Sequence, residues 1–292
     1  MKPELLDGIA LTVPADALEH FEAALGAVCL AVSFFHDEAN DLWDLHGVKE
    51  RGASEPELTA ALALAELLTG CSPPLTRGPV AAGGWLARTQ AAFPEQQIGR
   101  RFVIRGTHIV APPAAGRITL VLDAGLAFGS GEHHSTRGCL RALERMAHRR
   151  PARILDLGTG SGILAIAAAK LLHRPVLAGD IDARAVRVAA ANAKLNGVAP
   201  RLRAIRTDGW DSPAIAEARP FDLVFANILA RPLCAMARHL AQNLAPGGTA
   251  ILAGLLTQQS AWVLAAHRRN GLVLERRIAD GAWTTLVLRK PG

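Results

Sequence analysis

Residues Arg153–Lys170, RILDLGTGSGILAIAAAK, carry the residue types and spacing best suited to chemistry. Asp156, Gly158, Gly160 and Gly162 fall at alternate positions after the apolar residues Ile154, Leu155 and Leu157. Ile163, Leu164, Ile166, Ala167, Ala168 and Leu171 then follow at helical spacing. A short apolar run that passes into helical periodicity reads as strand, turn and helix. Glycines in such a turn accept positive φ and let a ligand approach without a Cβ in the way. The new helix adds unpaired N–H groups at its start. A dinucleotide turn wants G-x-G-x-x-G. Here Ile163 stands where the third glycine would fall, which argues against a nicotinamide-dependent oxidoreductase.

Ligands of open α/β sheets bind beyond the carboxyl ends of the strands, and further polar residues fall at such places. Asp180 ends the next strand roughly 20 residues on, where a carboxylate accepts hydrogen bonds from ribose hydroxyls. Asp182 suits a helix cap, and Asp208 reads as either the border of a base site or a turn residue. Asn227 ends another strand within FANILARPL. Its amide oxygen can hold the hydrogens of an amine and aim the nitrogen lone pair; the alternative is a cap on the next helix. Ser135 and Thr136 open a helix after a loop with Gly125, Phe128, Gly129 and Gly131, where hydroxyls and N–H groups can meet a carboxylate or an adenine edge. His133 and His134 are adjacent and lack ligand spacing, so they read as loop or capping residues and no metal is expected.

The elements that position these residues divide into two regions. Residues 1–82 read as a small α+β domain of order β-α-β-β-α-β, a ferredoxin-like unit. Its strands are Ile9–Val13, Ala27–Phe35, Leu42–Val48 and Leu75–Ala81. One helix covers Pro14–Leu25 and ends at Gly26; the other covers Pro56–Leu68, with Ser54 as a cap and Gly70 as its stop. Residues 83–110 read as a linker with a short helix at Trp85–Ala92, and 111–292 as the larger domain. Arg101–Arg105 and Ile118–Leu122 read as a hairpin around Pro112–Pro113. From residue 153 strands and helices alternate, which argues for a parallel sheet covered on both faces. Strands are expected at Pro175–Asp180, Arg201–Thr207, Phe221–Asn227 and Thr249–Leu255, with helices at Ala183–Leu195, Arg231–Leu244 and a last one through His267. Leu272–Ile278 and Trp283–Leu288 read as a terminal hairpin.

Composition sets the class. With 292 residues, 50% hydrophobic and 20% charged, the chain can bury two cores. The net charge of +6 comes almost wholly from arginine and does not by itself demonstrate nucleic-acid binding. Cys29, Cys71, Cys139 and Cys234 lie far apart without a C-x-x-C, against a zinc ribbon or a disulfide framework. Glu4 and Asp7 break any signal peptide, and no uncharged apolar stretch spans a membrane. A cytoplasmic protein is expected.

The pattern D-x-G-x-G-x-G over Asp156–Gly162 resembles motif I of the class I S-adenosylmethionine (SAM) methyltransferases. Four segments occur in order: GLAFGSGEHHST, LDLGTGSGILAIAAAKL, GDIDARAV with ANAKLNGV, and FANILARPL. Together they resemble the bacterial methyltransferases that modify protein eleven of the large ribosomal subunit, over roughly residues 85–292. That family has a Gly-Thr-Gly-Thr-His-x-Thr-Thr loop; here Ser130, Glu132 and Ser135 replace three threonines, while His133 and Thr136 remain. The resemblance implies a Rossmann-like seven-stranded sheet, with Thr136, Gly158, Asp180 and Asn227 as SAM contacts and Gly160 beside them in the same turn. It also implies an N-terminal domain that recognises the ribosomal protein, and methylation of lysine side chains and the terminal amine. Amine and amide methyltransferases often carry (N/D)-P-P-aromatic at Asn227; Ile228 and Leu229 replace the prolines, which counts against glutamine or base methylation. Methylation of RNA or a small molecule remains the rival on the same fold, and a non-catalytic SAM-binding module the rival outside it. No membrane or sequence-specific nucleic-acid partner is expected, and the chain is read as a monomer.

Overall fold

A computed structural model describes residues 5–37, 40–81, 95–107, 109, 116–122 and 134–292. The expected helix Trp85–Ala92, the Pro112–Pro113 turn and the glycine loop through His133 lie outside the described residues. The chain separates into two compact units, Met1–Ala92 and Phe93–Gly292.

The first unit runs β1 (Leu5–Pro14), α1 (Leu18–Gly26), β2 (Ala31–Asp37), β3 (Leu42–Glu50), α2 (Glu55–Thr69) and β4 (Thr76–Ala81). Its sheet has the order β2-β3-β1-β4 with every pair antiparallel, the ferredoxin-like arrangement expected from the element order. Alternation builds its core: Ile9, Leu11 and Val13 of β1 are buried with Trp43 and Leu45 of β3, Phe21 and Leu25 of α1, and Leu58 of α2. Pro14 ends β1 instead of opening the helix. Its carbonyl accepts from Ala17 N, a turn that delays α1 to Leu18. Ser54 holds the N-cap position of α2 without a side-chain cap bond, and Gly70, at φ +68, closes that helix.

The second unit begins with a three-stranded sheet of β5 (Gln96–Ile98), β6 (Phe102–Gly106) and β7 (Ile118–Leu122). The expected hairpin is corrected here: β6 and β7 pair in parallel, so the chain between them returns to the starting edge instead of reversing. Ile98, Phe102 and Ile104 are buried in the same core as Leu120 and the following helix. The stretch 96–106, read as linker, therefore belongs to this unit.

There follow α3 (His134–Met146), β8 (Ile154–Leu157), α4 (Ile163–Leu172), β9 (Val176–Asp180), α5 (Ala183–Leu195), β10 (Leu202–Arg206) and α6 (Pro213–Ala218). The chain ends with β11 (Phe221–Asn227), α7 (Ala230–Ala235), α8 (Ala237–Asn243), β12 (Leu244–Leu256), α9 (Ser260–Arg268), β13 (Val273–Asp280) and β14 (Trp283–Arg289). The main sheet has the order β10-β9-β8-β11-β12-β14-β13, and only β14 runs against its neighbours. Two departures are local. The single helix expected over 231–244 is interrupted at Met236, where ψ reaches 0°, and the short α6, with Pro213 in its first turn, fills a stretch read as loop.

The sheet is buried on both faces, as an all-apolar strand run requires. Ile154, Leu223, Phe225 and Ile251 join the core shared with α3 and α4, while Leu155, Val224 and Leu252 join the core shared with Leu233 and Leu240. Since neighbours along a strand face opposite ways, Asp156 and Asn227 point to the α3 side. Every residue of Ile163–Ala169 is buried, which explains why α4 is apolar all round. The four cysteines are free thiols.

Candidate active site at the strand tips

The turn after β8 takes the shape its glycines permit. Gly158, Gly160 and Gly162 have φ of +70°, +53° and +82°, a left-handed run open to residues without Cβ. Gly158 N and Thr159 N both donate to Gly179 O, at 2.9 and 3.0 Å, which binds the turn to the tip of β9.

Asp180 ends β9 and faces this turn. Its Oδ2 accepts from Gly160 N at 2.9 Å, and its Oδ1 from Asp182 N at 3.0 Å. One backbone donor on each oxygen leaves further lone pairs for a ligand. Asp182 is a helix cap: in extended conformation, it accepts from Arg184 N at 2.7 Å ahead of α5. Asp208 forms a tight turn with Asp211, whose N–H donates to its carbonyl.

Two glycines carry a packing task besides the one the sequence suggested. A Cβ on Gly158 would lie 2.3 Å from Ile228 Cγ2, so its bareness admits the tip of β11. A Cβ on Gly162 would lie 3.0 Å from Ala189 Cβ, so that glycine lets α5 pack closely.

Asn227 ends β11, beside Gly158. Its Nδ2 donates to Thr136 Oγ1 at 3.4 Å, while its Oδ1 is buried without a partner among the described residues. The capping alternative fails, because the N-cap of α7 is Leu229. Thr136 is buried in the first turn of α3. That helix is anchored by Asp280, which lies 3.1 Å from His134 Nδ1, 3.5 Å from Arg137 Nε and 3.1 Å from Arg141 Nη1. His134 thus lies against the terminal hairpin. At Gly138 the helix meets β14 so closely that a Cβ would lie 2.1 Å from Thr285 Oγ1.

Asp156 received no role from its sequence position, although it opens the motif. It is buried, and its Oδ2 accepts from Thr159 Oγ1 at 2.7 Å and from Ala165 N at 3.2 Å. Its Oδ1 has no partner among the described residues. Burial pushes the carboxyl up to about 7; the charge of Asp180 adds to this, and the two hydrogen bonds oppose it. Gly254 also escaped the sequence reading. At φ +80° in the middle of β12, its Cβ would lie 2.5 Å from Ile228 O, and the pairing with β14 shifts register there. An isolated glycine inside a strand was the available signal, since it marks a bulge or a close backbone approach.

Three adjacent strand tips thus gather Gly158, Asp180 and Asn227, with Thr136 reaching them from α3. Two buried oxygens on the α3 side, Asn227 Oδ1 and Asp156 Oδ1, have no donor among the described residues, and buried acceptors in folded proteins are ordinarily satisfied. The arrangement offers carboxylate and amide acceptors to hydroxyl and amine donors.

The profile of the family described as "Ribosomal protein L11 methyltransferase (PrmA)" matches residues 48–291. A Bradyrhizobium diazoefficiens protein named ribosomal protein L11 methyltransferase is 51% identical over 193 residues; the match spans 66% of this chain and 65% of that one, just under two thirds of its length. A Rhizobium meliloti protein of the same name is 44% identical over 255 residues, 87% of each chain. The crystal structure of ribosomal protein L11 methylase from Lactobacillus delbrueckii subsp. bulgaricus superposes with a TM-score of 0.59 at 30% identity, over 68% of this chain and 99% of that one.

Proposed function

The chain belongs to the ribosomal protein L11 methyltransferase family, and from that premise we propose that it methylates amines of that ribosomal protein, namely lysine side chains and the terminal amine. S-adenosylmethionine is the methyl donor. When bound, it supplies an electrophilic methyl group on a sulfonium and a leaving group that departs without protonation.

The strand-tip residues fit that donor. Asp180 keeps lone pairs on both oxygens for the ribose hydroxyls, and Gly158 and Gly160 present a left-handed turn beside it. The observation that carries the reading is Asn227 Oδ1, buried without a partner among the described residues. Thr136 occupies the nitrogen end of the amide, so the oxygen end is left to accept an N–H of the incoming amine. Holding that hydrogen fixes the direction of the nitrogen lone pair, and alignment is most of what an in-line displacement needs.

The nucleophile must be neutral. A free lysine, with pKa near 10.4, needs about 4–5 kcal/mol to lose its proton at pH 7. Enclosure of the amine in a dry site lowers that cost, since burial disfavours the ammonium form. We assign no general base; the proton leaves to water before the amine is enclosed.

The first unit is the substrate-recognition part of this reading. Residues 1–92 hold 13 acidic and 5 basic residues, a net charge of −8. Such a balance favours a target whose modified groups are cationic. No helix among the described residues is long and apolar enough to cross a membrane, and we place the reaction in the cytoplasm.

Incubation of the enzyme with methyl-labelled SAM and either the purified ribosomal protein or naked ribosomal RNA tests this. Label is expected on the protein, at lysine nitrogens and the terminal amine. Label found only in the RNA would defeat the proposal.

A further inference from the structure

The two units differ sharply in charge: residues 93–292 hold 27 basic and 13 acidic residues, a net charge of +14 against −8 for the rest. Of those 27 bases 24 are arginines, which fork onto phosphate oxygens and stack on unpaired bases in ways lysine cannot. Part of this charge surrounds one concavity. A groove of about 550 Å³ lies where α3 and α4 end, at the starting edge of β8 and β9, and so at the opposite end of the sheet from Asp180 and Asn227. Arg101, Arg150, Arg174, His148 and His173 line it, with Glu144 as the one acid.

Three features set this groove apart from ordinary solvated helix ends. The side chains of Arg101, Arg150 and Arg174 are exposed and have no partner among the described residues, whereas nearby Arg149 is paired with Glu275. Glu144 uses both carboxylate oxygens on the backbone N–H of Arg100, at 3.1 and 3.2 Å. Arg150 and His173 sit in the left-handed region, at φ 50° and 55°, where a helix stop ordinarily takes glycine or asparagine. Offsetting a helix dipole explains a cation at each helix end. It does not explain three unpaired arginine side chains from three segments around one hollow.

We propose that this groove binds the phosphodiester backbone of RNA, without reading its sequence. A field of +14 spread over the unit favours a polyanion over a single phosphate, and the concave, arginine-lined shape suits a strand more than a flat lipid surface. The choice of RNA rests on the ribosomal substrate proposed above. The groove, being remote from the strand tips, is tested without methyl transfer.

Fluorescence anisotropy with a labelled, unstructured RNA of mixed sequence, titrated at several salt concentrations, decides the matter. The full-length protein is compared with R101S/R150S/R174S and with R276S/R277S, two exposed arginines on β13. The triple variant is expected to bind about tenfold or more weakly and to lose about 2 from the slope of log K against log salt, at about 0.7 per phosphate contact. R276S/R277S is expected to stay near the parent, and both variants to keep the parent melting temperature and affinity for S-adenosylhomocysteine. Absence of salt-dependent RNA binding by the parent, parental binding by the triple variant, or an equal loss in R276S/R277S would overturn the proposal.

Discussion

Asn227 Nδ2 and Thr136 Oγ1 meet at 3.4 Å between the tip of β11 and the first turn of α3. At that separation the bond orients the amide more than it stabilises the fold. Removing the amide should therefore affect chemistry before stability. Asn227→Ala is expected to lower turnover on the order of 100-fold, as loss of a positioned hydrogen-bonding group does, with an unchanged melting temperature. Unaltered turnover, measured by mass spectrometry of the product, would return Asn227 to a structural role.

The Thr136 hydroxyl should matter less, because it acts through Asn227. Thr136→Val is expected to reduce turnover about tenfold, the equivalent of one lost hydrogen bond. Thr136→Ser keeps the hydroxyl and should restore most of the rate. Equal loss in both variants would show that shape, not the hydrogen bond, is at work.

Asp180 accepts from two backbone donors while facing the glycine turn. Asp180→Ala is expected to weaken S-adenosylhomocysteine binding by about 10- to 100-fold, since hydrogen bonds to a charged acceptor contribute about 1.5–3 kcal/mol. Titration calorimetry gives the number. Parental affinity would remove Asp180 from the site.

Gly254 tests the support of the β11 tip. An alanine there would strike the backbone oxygen of Ile228 and hold φ near +80°. Gly254→Ala should cost about 2–3 kcal/mol of stability and lower turnover, because strain adds to displacement of the Asn227–Ile228 turn. Gly197→Ala, at φ +68° with nothing within 4 Å, isolates the strain alone and should cost only about 1 kcal/mol. Equal effects would show that the contact with Ile228 is unimportant.

The stability of the second unit should depend on pH through two buried groups with opposite signs. Asp156 is raised to about 7 by burial, so its contribution is complete below the ordinary carboxyl value of 3.8 and is lost as pH rises through 7. His267 is lowered to about 4 by burial, so its contribution is complete above 6.5 and is lost as pH falls through 4. Asp156→Asn should flatten the fall in melting temperature on the alkaline side, and His267→Phe the fall on the acid side. Profiles unchanged by either substitution would contradict these assignments.

Much of this arrangement could be read from residues alone, because strand burial and glycine turns are local. The apolar runs at Ile154–Leu157 and Phe221–Asn227 announce their own strands, and Gly158, Asp180 and Asn227 fall at strand ends by simple counting. What escaped depends on neighbours distant in the chain. The parallel pairing of β6 with β7 is decided by where the chain returns after Gly106. The role of Gly158 is set by Ile228, and that of His134 by Asp280, neither of which is near in sequence. The charge difference between the two units was present in the sequence throughout, but it has meaning only once their boundary is known.

A crystal of this protein grown with S-adenosylhomocysteine bound tests the central claim most directly. The account predicts the ribose hydroxyls on Asp180, the nucleoside beside the Gly158–Gly160 turn, and the sulfur facing Asn227 Oδ1. A nucleoside lodged away from these three strand tips, or an Asn227 amide turned from the sulfur, would contradict it.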